Sequence, residues 1–150
     1  MNVLLINGSP HKQGCTYTAL SEVAAALNEC GVETTIFHIG AAPVGGCVGC
    51  GGCAKAGQCV FGGPVAEVLP LAERADAVVF GAPVHYATAA GSMLGFMHRL
   101  GYSAGRLPGH VVAQVAHDLH ELFDLLWREP VQLVVDKTPA KPGEPLLEVE

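Results

Sequence analysis

Four cysteines crowd into one short stretch, Cys47-x2-Cys50-x2-Cys53-x5-Cys59, with glycines at 49, 51, 52 and 57. The glycines let a backbone wrap a compact centre, and four thiolates are the ligand set of a [4Fe–4S] cluster. Zinc is the weaker metal reading, because zinc ribbons and fingers usually separate two cysteine pairs by about a dozen residues or more. A third reading needs no metal, since cysteine is also kept as a small buried hydrophobe. A disulfide framework fits poorly when four of six cysteines are this crowded and the chain reads as one in a reducing compartment. Of the other two, Cys30 ends a helical stripe and reads as packing. Cys15 opens a helix, where a thiol can be reactive, although packing is the default there too.

Two further stretches suit a bound cofactor. In Asn7 to Thr18, Gly8 and Gly14 admit an anion close to the backbone, Ser9, Thr16 and Thr18 offer hydroxyls, and Lys12 adds charge. The helix that follows presents free N–H groups, so this loop is shaped for a phosphate. It contains neither Gly-x-Gly-x-x-Gly nor a Walker Lys-Ser/Thr, which excludes the dinucleotide fingerprint and the P-loop. The plainer alternative is a capped turn. The second stretch is Gly81-Ala82-Pro83-Val84-His85-Tyr86-Ala87-Thr88-Ala89-Ala90-Gly91-Ser92. Tyr86 supplies an aromatic to pack on an extended ring such as an isoalloxazine, and the backbone supplies amides for its polar edge. His85 reads either as a hydrogen-bond or proton-transfer group or as a satisfied polar side chain. No residue is assigned as catalytic.

The elements that must hold these stretches follow from hydrophobic periodicity. Asn2 to Ile6 is a short apolar run, and Leu20, Val23, Ala24 and Leu27 recur at helical spacing after the first loop. Glu33 to Ile39 alternates as a strand before a Gly- and Cys-rich loop at about 40–63, too long for a mere connection. Pro64 opens a helix with Val65, Val68, Leu69 and Ala72, which Pro70 should kink or shorten. Ala77 to Ala82 is an apolar run of the kind buried on both sheet faces, and Met93, Leu94, Met97 and Leu100 follow at helical spacing. His110 to Ala116 reads as a fourth strand and Val131 to Val135 as a fifth. Between them, Asp118 and Glu121 resemble a capping box ahead of an apolar stripe. Strands alternating with helices imply an α/β fold with a parallel sheet, whose ligand belongs at the carboxyl ends of the strands.

Leu5-Ile6-Asn7-Gly8-Ser9-Pro10-His11, Cys47-Val48-Gly49-Cys50-Gly51-Gly52-Cys53 and Gly81-Ala82-Pro83-Val84-His85-Tyr86, in this order, resemble the NADPH-dependent FMN reductase family, including its iron–sulfur flavoprotein branch. The resemblance covers about Met1 to Leu100. It implies a flavodoxin-like three-layer fold with a five-stranded parallel sheet in the order 2-1-3-4-5, bound FMN, and reduction of that FMN by NAD(P)H. It places the phosphate at Ser9, His11, Thr16 and Tyr17, with Thr18 nearby, and sets Pro83, Val84 and Tyr86 beside the flavin ring, with His85 in the same loop. It also implies a [4Fe–4S] cluster at Cys47, Cys50, Cys53 and Cys59 for the iron–sulfur branch. Family members often carry asparagine where this chain has Cys15, and they continue with an Arg- and Gly-containing loop where this chain reads Ala116-His117-Asp118-Leu119-His120.

Bulk composition narrows the rest. The chain has 150 residues, half of them hydrophobic, which suits one domain at 1–136 followed by a Pro-rich tail at 137–150. A net charge of −6 with scattered Lys and Arg gives no basic face for nucleic acid or an anionic membrane. The start turns polar at Asn7 without a basic region or cleavage site, so it reads as a strand and the expected location is cytoplasmic. Ala77 to Met97 lacks formal charge, but Gly81, Pro83, His85, Gly91 and Gly95 interrupt it and exclude a membrane helix. His110, His117 and His120 lack the spacing of a metal site. A missing last helix would uncover one sheet face, which makes a homodimer or higher homo-oligomer the expectation. The expected activity is electron transfer from a nicotinamide through FMN to an unidentified acceptor. The alternatives are an iron–sulfur flavoprotein electron carrier and a noncatalytic metal-binding or scaffold protein that has lost flavin binding.

Overall fold

A computed structural model describes residues 1–103 and the strand at 111–117. The element order is β1 (Asn2–Asn7), α1 (Cys15–Glu29), β2 (Glu33–His38), α2 (Cys53–Ala56), α3 (Pro64–Ala72), β3 (Ala77–His85), β4 (Thr88–Ala89), α4 (Gly91–Ser103) and β5 (Val111–His117). β1 lies between β2 and β3, parallel to both, and β5 pairs parallel with β3 on its other side. The strands read as first to fourth in the sequence therefore stand in the expected 2-1-3-4 order. The fifth, Val131 to Val135, lies outside the described residues, as do the capping box at Asp118 and the Pro-rich tail.

Alternation along the strands explains the layers, because successive side chains point to opposite faces. On β1, Val3 and Leu5 pack with Leu20 and Ala24 of α1, joined by Ala77 and Val79 of β3. The intervening Leu4 and Ile6, with Val78 and Phe80, pack on the opposite face against Val65, Val68, Leu69, Met93 and Phe96 of α3 and α4. Helices thus cover both faces, giving the three layers that the apolar runs call for. Pro70 sits on the exposed side of α3, which ends at Ala72. Pro70 lacks the N–H that would reach the Ala66 carbonyl, yet the helix runs on past it and the Glu73 N–H donates to the Leu69 carbonyl at 2.9 Å, so the buried stripe is undisturbed.

The structure corrects two readings. The third strand does not stop at Ala82: β3 runs on to His85 and turns back through β4, with Val84 opposite Ala89 and His85 opposite Thr88. Pairing with β5 reaches Pro83, so the sheet supports this extension. Cys15 and Cys30 are not packing residues either. Both are exposed, Cys15 as the first residue of α1 and Cys30 as its C-terminal cap.

Candidate functional site

The phosphate-type loop is built around Asn7. This residue is wholly buried at the end of β1, and its side chain works in both directions. Oδ1 accepts the Ser9 N–H at 3.0 Å, and Nδ2 donates to the Lys12 carbonyl at 3.2 Å. His38, which ends β2 opposite Asn7, places Nε2 2.8 Å from the Ser9 carbonyl. The Ser9 hydroxyl accepts the His11 N–H at 3.2 Å, leaving its own proton to donate. The loop is therefore braced from the ends of two adjacent strands, with the Lys12 and His11 side chains exposed.

The N-terminus of α1 opens into this loop. Its cap is Gly14, no side chain caps it, and its first turn carries no acidic residue. A side-chain-capped turn is thus not what the chain has built: Thr18 Oγ1 donates back to the Gly14 carbonyl at 3.4 Å, and among the described residues no side chain accepts from the leading N–H groups. With glycine at the cap the loss of a side-chain acceptor costs roughly a few tenths of a kcal/mol, and an anion at those N–H groups would offset it. Ser9 and Thr16 are both buried here, and among the described residues the Thr16 hydroxyl has no hydrogen-bond partner. Tyr17 is half-buried and Thr18 exposed. Two buried hydroxyl residues at a helix N-terminus without a side-chain cap fit a phosphate group.

The second stretch stands at the same edge of the sheet. Asn7 is in register with Gly81, and the Gly8 N–H donates to the Gly81 carbonyl at 2.7 Å. β3 continues four residues beyond that point, ~13 Å at strand rise. The hairpin therefore overhangs the loop. Pro83 and Val84 are half-buried at its base, His85 is exposed, and Tyr86 at its tip is fully exposed. Tyr86 and Ala87 both have positive φ, 52° and 61°. Two such residues in a two-residue turn match the twist of a hairpin, but they strain side chains that carry a Cβ. Among the described residues Tyr86 packs on nothing, which leaves its ring free for a ligand.

The cysteines form a separate cleft on the far part of α4. Cys47, Cys50, Cys53 and Cys59 all line it, with Val60 and Phe61 among its apolar walls. Gly49 and Gly51 take φ of 65° and 68°, the left-handed turns that let this stretch double back. The loop is seated on α4 at Gly95, where an added Cβ would collide with the Val44 and Gly45 backbone. None of the six cysteines is paired in a disulfide, and among the described residues no three His, Cys, Asp or Glu side chains converge as they would on a single metal ion. One further residue enters this cleft that its sequence context did not single out. Arg99 of α4 is buried, donates from Nε to Cys59 Sγ at 3.2 Å, and donates from a terminal nitrogen to the Gly62 carbonyl at 2.7 Å.

Of the residues named from sequence, the structure brings Ser9, Thr16, Tyr17 and Thr18 together at one helix end, and His11 joins them through its backbone. Pro83 to Tyr86 lie on the neighbouring hairpin, and the four cysteines lie apart. Asn7 and His38 went unassigned because they act on the loop's backbone, a role that residue type does not signal. Among the described residues no helix is long and apolar enough to cross a membrane, and Ala77 to Met97 is strand, hairpin and helix.

Comparison with known proteins agrees with this geometry. Over 86 residues the chain is 30% identical to an iron–sulfur flavoprotein of Methanocaldococcus jannaschii, covering 57% of this chain and 45% of that one. The matched stretch thus spans less than half the length of this curated relative. Two solved structures share the fold. One is an NAD(P)H:quinone oxidoreductase from Methanothermobacter marburgensis, at 17% identity and a TM-score of 0.56, covering 83% of this chain and 69% of that one. The other is FerB, a flavoenzyme NAD(P)H:(acceptor) oxidoreductase from Paracoccus denitrificans, at 20% identity and a TM-score of 0.56, covering 83% and 70%. At such identities the likeness concerns the flavodoxin-like fold alone. Residues 1–120 match the model of the NADPH-dependent FMN reductases, past the expected extent of the resemblance at about Leu100 and through β5, and the chain belongs to that family.

Proposed function

We propose that the protein is an FMN-dependent NAD(P)H oxidoreductase. One observation carries the reading: the N-terminus of α1, without a side-chain cap and with Ser9 and Thr16 buried beside it, lies at the carboxyl edge of the sheet next to the hairpin. Ser9, Thr16, Tyr17 and Thr18, with the His11 backbone, would hold the phosphate, and Pro83 to Tyr86 would flank the ring. When bound, FMN supplies the hydride-accepting chemistry, receiving electrons from the nicotinamide and passing them to an acceptor such as a quinone or small electrophile. The chain itself binds, orients and shields, and no side chain is given a proton-transfer role. The test is FMN retention. Ser9→Ala with Thr16→Ala should abolish it, and the wild type should show flavin bands that NADPH or NADH bleaches anaerobically. Unchanged retention in the double variant would mean that the phosphate sits elsewhere.

A second reading, an iron–sulfur flavoprotein electron carrier, is favoured by the way the cysteines are disposed. Cys47, Cys50, Cys53 and Cys59 all line that one cleft, and four thiolates are the donor set a [4Fe–4S] cluster takes. The similarity to an iron–sulfur flavoprotein supports the same reading. Iron and acid-labile sulfide measured after anaerobic purification test it, and flavin bands with no iron would sink it.

A further inference from the structure

Arg99 is the buried ionised side chain of the described residues, and its surroundings do not neutralise it. It is 8% exposed. Its hydrogen-bond partners among the described residues are Cys59 Sγ and the Gly62 carbonyl, and no carboxylate meets it there. The guanidinium carbon lies 5.9 Å from the centroid of the Phe61 ring, a further contact that favours a cation without cancelling its charge. Burying a cation without a counter-charge is strongly unfavourable. A neutral thiol is a weak acceptor for an N–H donor. Among the described residues the cleft thus suits an anionic occupant, and the one acceptor other than a backbone carbonyl that Arg99 meets there is Cys59 of the Cys47–Cys59 set.

We propose that Arg99 is the positioning residue of an anionic iron–sulfur–thiolate centre held by Cys47, Cys50, Cys53 and Cys59, balancing its charge and donating from Nε to Cys59 Sγ. This rests on the iron–sulfur reading above. The consequence is a raised reduction potential. Reduction adds negative charge to such a centre, and a fixed cation with an N–H donor on a ligand sulfur favours the more negative state. A purely structural Arg99, pinning Gly62 to α4, would leave the potential where it is.

The test uses the full chain, purified anaerobically and reconstituted with iron and sulfide, as wild type, Arg99→Gln and Arg99→Lys. Iron and sulfide per chain are measured first, then the midpoint potential by titration followed by electron paramagnetic resonance. FMN retention, governed by a loop at the other end of α4, reports that each variant has folded. The expected result is a lower midpoint in Arg99→Gln and a smaller fall in Arg99→Lys, which keeps the charge but loses the fork to Cys59 and Gly62. If a folded Arg99→Gln takes up too little iron to titrate, the midpoint of Arg99→Lys decides, and an unshifted value there overturns the assignment. A loaded Arg99→Gln at the wild-type midpoint overturns it and leaves the cluster reading standing. If Arg99→Gln fails to fold, Arg99→Lys decides alone, and an unshifted midpoint overturns the assignment. A wild type that takes up no iron removes the cluster reading and the role of Arg99 together.

Discussion

Asn7 and His38 are each one side chain, yet between them they fix both backbone groups of Ser9. The Ser9 N–H goes to Asn7 Oδ1 and the Ser9 carbonyl faces His38 Nε2, so the hydroxyl is aimed by the backbone and not by its own rotamer alone. Loss of a partly buried hydrogen bond of this kind costs about 1 kcal/mol. His38→Ala should therefore weaken FMN binding roughly fivefold, measured as quenching of flavin fluorescence, while His38→Gln, which keeps a donor, should stay near wild type. Equal affinities in all three would detach His38 from the loop's geometry. Asn7→Ala is a harsher change, because it strands both the Ser9 N–H and the Lys12 carbonyl, and should destabilise the fold by about 2 kcal/mol in urea denaturation. At this scale the sequence was legible where chemistry sits on residue type. Hydroxyls, glycines and thiols announce themselves. Asn7, His38 and Arg99 do not, because what each does depends on which loop the fold brings to it.

The elements were legible where burial sets a period and less so where turn chemistry departs from preference. The continuous apolar run of β1 and the stripe of Leu20, Val23, Ala24 and Leu27 follow directly from two-sided burial of the sheet. The β3–β4 hairpin was not legible, since a two-residue turn is signalled by Asn-Gly or Asp-Gly and this chain has Tyr86-Ala87. A residue with a Cβ costs about 1–2 kcal/mol in that left-handed region. Ala87→Gly should accordingly stabilise the protein by about 1 kcal/mol, read from the denaturation midpoint at unchanged slope. No gain would mean that the turn relaxes in solution. Gly95 makes the opposite case. A Cβ there meets the Val44 and Gly45 backbone, which cannot rotate away as a side chain would. Gly95→Ala should cost about 1–3 kcal/mol, typical of overpacking, and expose the cysteine loop to limited proteolysis while sparing FMN binding. A loop as protease-resistant as wild type would show that it is not seated on α4.

For the molecule as a whole, α4 spans the distance between the two candidate sites. Met93 near its start packs under Gly8 of the phosphate-type loop, and Arg99 six residues on, ~9 Å along the axis, reaches Cys59. The loops that would hold FMN issue from β1 and β3 of the central sheet and lead into α1 on one of its faces, so ligand binding and global stability are coupled by mass action. A ligand that binds only the folded chain at 100 times its dissociation constant adds about 2.7 kcal/mol. For a chain of 150 residues this raises Tm by ~8 °C. The phosphate assignment makes the prediction sharper than a bare thermal shift. Riboflavin carries the same ring without the phosphate, so at equal concentration it should shift Tm far less than FMN. In Ser9→Ala with Thr16→Ala that difference should shrink, because the phosphate loses both hydroxyls and keeps only the backbone N–H groups. Equal shifts for riboflavin and FMN in the wild type would place the binding energy in the ring and remove the free N–H groups of α1 from recognition.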